Sequence, residues 1–228
     1  MIYKKKYYAI IPARGGSTGI KNKNLLKING KTLVSIASEF ALKFKFFNKV
    51  ILSSDSDKIL NNVRNKNIFK DKRPKKYSGK FSQTIETVKY LSKSLKFNKG
   101  DIIFLFEPTS PLRNKSDVYK VKNIIDKKNE TSVCTFCESW TQPQRAWKKN
   151  RSKMSFFLKN KRNLLPRQKH SKSYSATGNV IAFKFKKNLS NLIINNTSYA
   201  MVDKLRSLDI DDISDYTLVK YIYENTRV

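Results

Sequence analysis

Apolar and polar positions along the chain fall into blocks that read in turn as strand, loop and helix. Residues 7–12, Tyr-Tyr-Ala-Ile-Ile-Pro, form a short apolar run closed by a proline, the profile of a strand buried on both faces of a parallel sheet. A glycine-rich polar loop follows over 14–24. Leu33, Ile36, Ala37, Phe40 and Ala41 then recur at helical spacing within 32–42. Residues 49–53 read as a second strand, and Asp55 starts a helix running to about Arg64. Strand, loop, helix, strand is a βαβ unit, which calls for a right-handed crossover and parallel pairing.

The alternation continues with a helix over 82–95, a buried strand over 101–106, a helix over 117–126 and a fourth strand over 131–136. Val118, Val121 and Ile125 share one face of the helix over 117–126. Residues 140–174 break the rhythm, being polar, basic and poor in periodic signals. An irregular segment of that length is usually functional or an interaction arm. Strand character returns over 178–185, and Ser214 is placed to cap a last helix carrying Tyr216, Val219, Ile222 and Tyr223. No internal repeat or linker divides the chain. The pattern predicts an α/β fold: one domain over 1–228, a single doubly wound and mostly parallel sheet with an excursion near 140–175.

Composition changes this picture little. Hydrophobic residues at 39% and aromatics at 12% exclude a disordered chain. No apolar run approaches the ~18–20 residues that span a bilayer. The first residues lack the apolar stretch and small-residue cleavage site of a signal peptide, so cytoplasmic residence is expected and no membrane partner. Cys134 and Cys137 have C-x-x-C spacing, but they lie in a strand, where positions three apart face opposite sides. With no second pair and the single His170 far away, they read as buried small residues. The net charge of +31 is spread along the whole chain rather than gathered in a tail or on one helix face. It reads as a solvated lysine-rich surface, making nucleic acid an unexpected partner, although its field would attract anionic substrates.

Three segments carry candidate chemistry. The loop 13–24, Ala-Arg-Gly-Gly-Ser-Thr-Gly-Ile-Lys-Asn-Lys-Asn, follows the first strand, where open α/β sheets bind ligands. Gly15, Gly16 and Gly19 allow tight turns and close backbone approach to phosphate, and Arg14, Lys21 and Lys23 supply positive charge. The loop matches neither G-x-x-x-x-G-K-[ST] nor G-x-G-x-x-G, yet a strand before it and three cations within it point to phosphate. In the second segment, Asp209 and Asp211 are two apart on an extended stretch, so both carboxylates face one side, as a hard divalent cation requires. The competing account is an acidic helix start, in which Asp211, Asp212 and Asp215 favour the helix dipole; it leaves Asp209 unexplained. The third segment, 106–113, uses two prolines to fix a loop presenting Thr109, Ser110 and Arg113, and a rigid turn with capping hydroxyls accounts for it equally well.

Five collinear segments together resemble the acylneuraminate cytidylyltransferases, the CMP-sialic acid synthetases and their relatives acting on other nonulosonic acids. They are Ile-Ile-Pro-Ala-Arg-Gly-Gly-Ser-Thr-Gly-Ile-Lys-Asn-Lys-Asn at 10–24, Arg-Pro-Lys-Lys-Tyr-Ser at 73–78 with Ser82 and Thr84, and Pro-Thr-Ser-Pro-Leu-Arg at 108–113. Arg167-Gln168 with Tyr174 and Gly178, and Asp209-Ile-Asp211, complete the set. The resemblance implies a nucleotide-diphospho-sugar transferase-like fold and transfer of CMP from CTP to the anomeric hydroxyl of an acidic nine-carbon sugar, releasing pyrophosphate. It implies a nucleotide site of Ala13, Arg14, Gly15, Lys23, Asn24, Arg73, Ser82 and Thr84, with Arg14, Lys23 and Asp211 catalytic. Asp209 and Asp211 would hold Mg²⁺, and Glu107, Arg167 and Gln168 would face the sugar. The 140–175 excursion would be a dimerisation arm, making the protein a homodimer, and the family-level role is in cell-envelope glycans. The chain departs from the family pattern at Thr18, where lysine is usual, and at Glu107, where glutamine is usual. Gly79 and Lys80, Thr177 and Ile181 depart likewise. Two other functions compete. A 3-deoxy-manno-octulosonate cytidylyltransferase would carry R-L-P-G-K-P-L where this chain reads Ile-Lys-Asn-Lys-Asn-Leu at 20–25. A basic RNA- or polyanion-binding protein on a degenerate nucleotidyltransferase fold would account for the charge.

Overall fold

The computed structural model describes residues 4–17, 19–79, 82–127, 130–158, 165–195 and 197–226. In chain order its strands are β1 (Tyr7–Pro12), β2 (Lys27–Ile28), β3 (Lys31–Thr32), β4 (Lys49–Ser54), β5 (Ile68–Lys72) and β6 (Ile102–Leu105). They continue with β7 (Ser132–Glu138), β8 (Trp147–Asn150), β9 (Lys153–Phe156), β10 (Tyr174–Lys184) and β11 (Ser198–Met201). The helices are α1 (Leu33–Leu42), α2 (Asp57–Asn62), α3 (Thr84–Ser94), α4 (Lys115–Lys127) and α5 (Ile213–Asn225). Seven strands make one sheet in the order β11-β7-β10-β6-β1-β4-β5. Pairing is parallel except at β10, which runs antiparallel to both β6 and β7. The mostly parallel α/β sheet expected from the pattern is therefore present.

The central strands are apolar throughout because both sheet faces are covered. Ala9 and Ile11 of β1 pack with Phe104, Phe106 and residues of α1 and α4 on one face. The alternate positions Tyr8 and Ile10 pack with Ile103, Leu105 and, from α3, Val88 and Leu91 on the other. Both cysteines are free and buried, in line with the reading of small core residues. Burial pushes the Cys134 thiol up to about 12. No described helix is long and apolar enough to cross a membrane.

Beyond strands that the pattern does not mark, β2, β3, β5 and β11, the structure departs from it at several expected elements. The second helix spans Asp57–Asn62 rather than 55–64, because the Asp55 carboxylate accepts the Gly15 amide at 2.8 Å instead of opening the helix. Asp212, not Ser214, caps α5: its side chain accepts from the Ser214 and Asp215 amides, while Asp215 accepts from the Asp212 amide. Segment 140–174 is not wholly irregular, since β8 and β9 pair as an antiparallel hairpin within it. Finally, β10 begins at Tyr174, ahead of the expected 178, and its register with β7 shifts between Ala176 and Ile181.

Asp126 ties the end of α4 to the start of β1. Its carboxylate accepts from Tyr7 Oη at 2.6 Å, Lys5 Nζ at 2.7 Å and Lys122 Nζ at 2.6 Å. Burial pushes this carboxyl up, but the three hydrogen bonds and the Lys122 charge outweigh it and hold it at about 2. A carboxyl depressed in the folded state stabilises the fold above its unfolded pKa and stops doing so as pH falls through the folded one. Asp126→Asn should therefore lower stability at neutral pH, and the gap to the parent should close between about pH 4 and about pH 2 in urea melts. A gap that stays constant across that window would show that the charge contributes nothing.

Candidate functional site

The carboxyl ends of β1, β5 and β6 open into a cavity of about 560 Å³, within the usual range of small-molecule sites. Four segments wall it: the loop after β1, the stretch from β5 to α3, the loop after β6, and the stretch leading into α5. Each arrives there for a local reason. The Ala13 amide continues the sheet ladder onto the Ser53 carbonyl at 3.0 Å, so the chain leaves β1 with Arg14 at the rim. The Asn24 amide group bonds the Arg14 carbonyl at 2.9 Å, and a guanidinium nitrogen of Arg14 reaches the Gly79 carbonyl at 3.0 Å. The Arg73 amide bonds the Ser54 carbonyl at 2.8 Å just beyond β5, turning its side chain inward. That side chain is buried and donates to the Thr87 hydroxyl of α3. Burial pulls the Arg73 guanidinium down, Asp55 and Asp71 counter it, and nearby Arg14 adds to the downward pull. Two guanidinium groups lining one cavity, with one of them buried, make a natural anion site.

The acidic side is built by the last segment. Lys23 Nζ donates to the Ile210 carbonyl at 2.8 Å and to Asp211 Oδ1 at 3.1 Å, and the Ile210 amide bonds the Thr109 carbonyl at 3.0 Å. Asp209 is partly buried and accepts from the Ser110 hydroxyl at 2.8 Å. Asp211 is 81% exposed and opens into the cavity. The alternation read from the sequence therefore sends both carboxylates to one cavity, while Asp212 and Asp215 build the helix start. Burial raises the Asp209 pKa, hydrogen bonds from Thr109 and Ser110 oppose it, and Asp211 pushes it further up. Glu107 is raised as well, by burial and then by Asp209, against Arg113 and Lys23.

Two glycines set the closeness of these walls. A Cβ on Gly19 would lie 2.5 Å from the Asp211 carbonyl oxygen. One on Gly178, inside the irregular stretch of β10, would lie 2.6 Å from Ser110 Oγ and 3.7 Å from Asp209 Oδ1. A side chain at Gly19 would push against the backbone of the carboxylate segment, and one at Gly178 would displace the Ser110 hydroxyl that holds Asp209.

The cavity thus gathers Arg14, Lys23, Asn24, Arg73, Ser82, Thr84, Glu107, Asp209 and Asp211. Ala13 and Gly15 frame the loop without lining the cavity: Ala13 is buried, and Gly15 is held by Asp55. Gln168 is exposed on a short 3-10 turn, Arg167–Lys169, and is not among the lining residues. The side chain of Arg167, and residues Thr18 and Lys80, lie outside the described residues. Arg113 is corrected: it is not presented to the cavity but buried, donating to the Glu107 carbonyl and lying over the Phe40 and Phe106 rings at 5.9 and 5.5 Å. Tyr77 and Thr87 also line the cavity, beyond the residues expected from the sequence. Thr87 follows Thr84 by three positions on one helix face, a signal the spacing did carry.

Among the described residues no group of three or more His, Cys, Asp or Glu is placed to hold a metal. Asp209 and Asp211 offer two carboxylates, and magnesium commonly takes one or two, with phosphate and water completing its shell. The residues present fit that ion beside a bound polyphosphate.

The sequence profile of the family described as Cytidylyltransferase matches residues 8–227. The pseudaminic acid cytidylyltransferase of Campylobacter jejuni is 28% identical over 232 residues, covering 96% of this chain and 97% of the relative. The N-acylneuraminate cytidylyltransferase of Escherichia coli is 30% identical over 115 residues, 50% of this chain. The match spans about a quarter of the length of that protein and of one other curated relative. Among solved structures, a CMP:2-keto-3-deoxy-manno-octonic acid synthetase complexed with CTP superposes with a TM-score of 0.69 at 14% identity, covering 96% of this chain and 99% of that one. At that identity the likeness concerns the fold.

Proposed function

The chain belongs to the cytidylyltransferase family of nucleotidyltransferases, and from that premise we propose that it transfers CMP from CTP to the anomeric hydroxyl of a nonulosonic acid. The observation that supports this most is the meeting of Arg14, Lys23 and Arg73 with Asp209 and Asp211 in one cavity at the carboxyl ends of the strands. Cations for a triphosphate and a carboxylate pair for its metal are what such a transfer needs.

In the proposed reaction the anomeric oxygen attacks the α-phosphorus in line. A new P–O bond forms while the bond to the β-phosphate oxygen breaks, and pyrophosphate departs. Arg14 and Lys23 stabilise charge on the leaving group from fixed positions, which is electrostatic catalysis by preorganised cations. Asp209 and Asp211 would hold Mg²⁺, which when bound supplies further charge stabilisation at the phosphates. Arg73, Ser82, Thr84 and Asn24 hold the nucleotide, with Ala13 and Gly15 shaping the loop. Glu107, Arg167 and Gln168 face the sugar, Arg167 pairing with its carboxylate through a planar fork. No general base is assigned. The 140–175 segment serves as the dimerisation arm of a homodimer. Its hairpin displays Trp147 and Met154 to solvent, at 49% and 58% exposure, and a lone two-stranded hairpin is marginal without something packed on it. The protein works in the cytoplasm as one catalytic domain, in the supply of a cell-envelope glycan.

Pyrophosphate release from CTP and Mg²⁺ against N-acetylneuraminic, legionaminic, pseudaminic and 3-deoxy-octulosonic acids tests the proposal. Release with a nine-carbon acid is the expected result and names the acceptor. Release with the eight-carbon acid alone would move the chain to the octulosonate enzymes. Silence from a folded, CTP-binding protein across the panel would remove the nonulosonic acids as acceptors. Silence without any CTP effect on melting would favour a polyanion-binding role.

A further inference from the structure

One buried ion pair lies behind the carboxylate segment. Arg206 donates to Asp117 Oδ2 at 2.5 Å; Asp117 is fully buried in the first turn of α4, and the Arg206 side chain is 23% exposed. The Asp117 carboxylate also accepts the Asn114 amide at 3.2 Å, closing the start of that helix. The Arg206 backbone is pinned separately. Its carbonyl accepts from Asn179 Nδ2 at 3.1 Å, and its amide donates to Asp203 Oδ1 at 3.3 Å. Asn179 is fully buried in β10.

Both anchors sit close to Asp209. Three residues beyond Arg206 comes Asp209 itself, with its carboxylate on Ser110. One residue before Asn179 comes Gly178, whose open side faces Ser110 Oγ and Asp209 Oδ1. The pair thus ties the carboxylate segment to α4 through a side chain and to β10 through a carbonyl. An ordinary reading is that the pair stabilises the fold. Against that, a buried ion pair is weak evidence for stability, because desolvation offsets much of the attraction. What it supplies is position.

We propose that Arg206, clamped between Asp117 and Asn179, is a positioning residue that sets the Asp209 carboxylate where a divalent cation is bound. This rests on the proposal that Asp209 and Asp211 are the metal-holding pair. Arg206 touches neither cation nor nucleotide; it acts through the backbone of 206–209.

The test is Mn²⁺ binding in the presence of CTP, followed through the paramagnetic resonance signal of the free ion. CTP binding is measured in parallel by calorimetry in chelator, without metal. The variants are Arg206→Lys, which keeps the charge but loses the planar fork, and Arg206→Gln combined with Asp117→Asn. The double variant removes both charges of the pair while Arg113 keeps Asp209 and Glu107, so it keeps the experiment alive if Arg206→Gln alone fails to fold. Loss of such outer partners typically weakens metal binding by about 10–100-fold. That loss is expected in the double variant, with a smaller one in Arg206→Lys and unchanged metal-free CTP binding. Parental Mn²⁺ binding in the folded double variant would overturn the proposal. So would a parallel loss of metal-free CTP binding, which would mark a purely structural pair. Asp209→Asn is the reference: if it binds Mn²⁺ like the parent, the metal pair itself is wrong and the positioning role falls with it. Loss in Asp209→Asn with none in the double variant overturns the positioning role alone.

Discussion

Asp211→Ala should abolish Mg²⁺-dependent turnover while leaving the fold intact. The side chain is 81% exposed, and its ion-pair partner, Lys23, keeps the Ile210 carbonyl. Truncation at such a surface site changes stability by about 0.5 kcal/mol or less. Activity is another matter, because charge stabilisation by a held cation is worth several kcal/mol, and each ~1.4 kcal/mol is tenfold in rate. A fall of about three orders of magnitude in kcat is expected, with an unchanged melting temperature. An enzyme keeping most of its Mg²⁺-dependent rate would refute the assignment. A variant that melted early would refute the claim that this aspartate is dispensable to the fold.

Gly19→Ala should be the most damaging of the loop-glycine substitutions. Its new methyl would meet the Asp211 carbonyl oxygen at 2.5 Å, a contact with backbone that no rotamer change can relieve. Either the loop after β1 or the carboxylate segment must retreat. A shift of about 1 Å in a positioned group can lower turnover by about 10²-fold. Gly16→Ala in the same loop is the control, since nothing lies within 4 Å of its added carbon. Expected is a loss near 10²-fold for Gly19→Ala beside near-parental kinetics for Gly16→Ala, measured as kcat and KM for CTP. Equal effects in both would mean that loop flexibility, not the approach to Asp211, is what glycine provides.

Much of this architecture was legible because period and burial coincide. β1 and β6 read as apolar runs, and both sheet faces cover them; α4 showed Val118, Val121 and Ile125 on the face that packs. β5 was not legible. Its Ile-Phe-Lys-Asp-Lys is half polar because it is an edge strand, and its inward aspartate, Asp71, is held by the Ser53 hydroxyl at 2.7 Å. No local pattern announces a polar residue whose partner lies on the next strand. The helix start at α5 was misplaced by two positions for a related reason: Asp212 and Ser214 both suit a cap, and only the return bond from Asp215 decides between them. At the site, the spacing of Asp209 and Asp211 predicted a shared side, and the cavity has both. Arg113 was misread because a surface-type residue after two prolines looks presented, whereas its guanidinium is stacked on Phe40 and Phe106.

The pairing of Lys23 with Asp211 bears on selectivity. A chain of net charge +31 draws in polyanions of every kind, and that long-range pull does not tell one from another. Inside the cavity the balance is different, since Arg14, Lys23 and Arg73 stand beside Glu107, Asp209 and Asp211. A simple anion entering there must compete with Asp211 for Lys23 and leaves a carboxylate uncompensated. A triphosphate that arrives with a divalent cation satisfies both partners at once. The surface gathers candidates without discrimination, and on the proposed metal assignment the cavity favours those that bring both signs of charge.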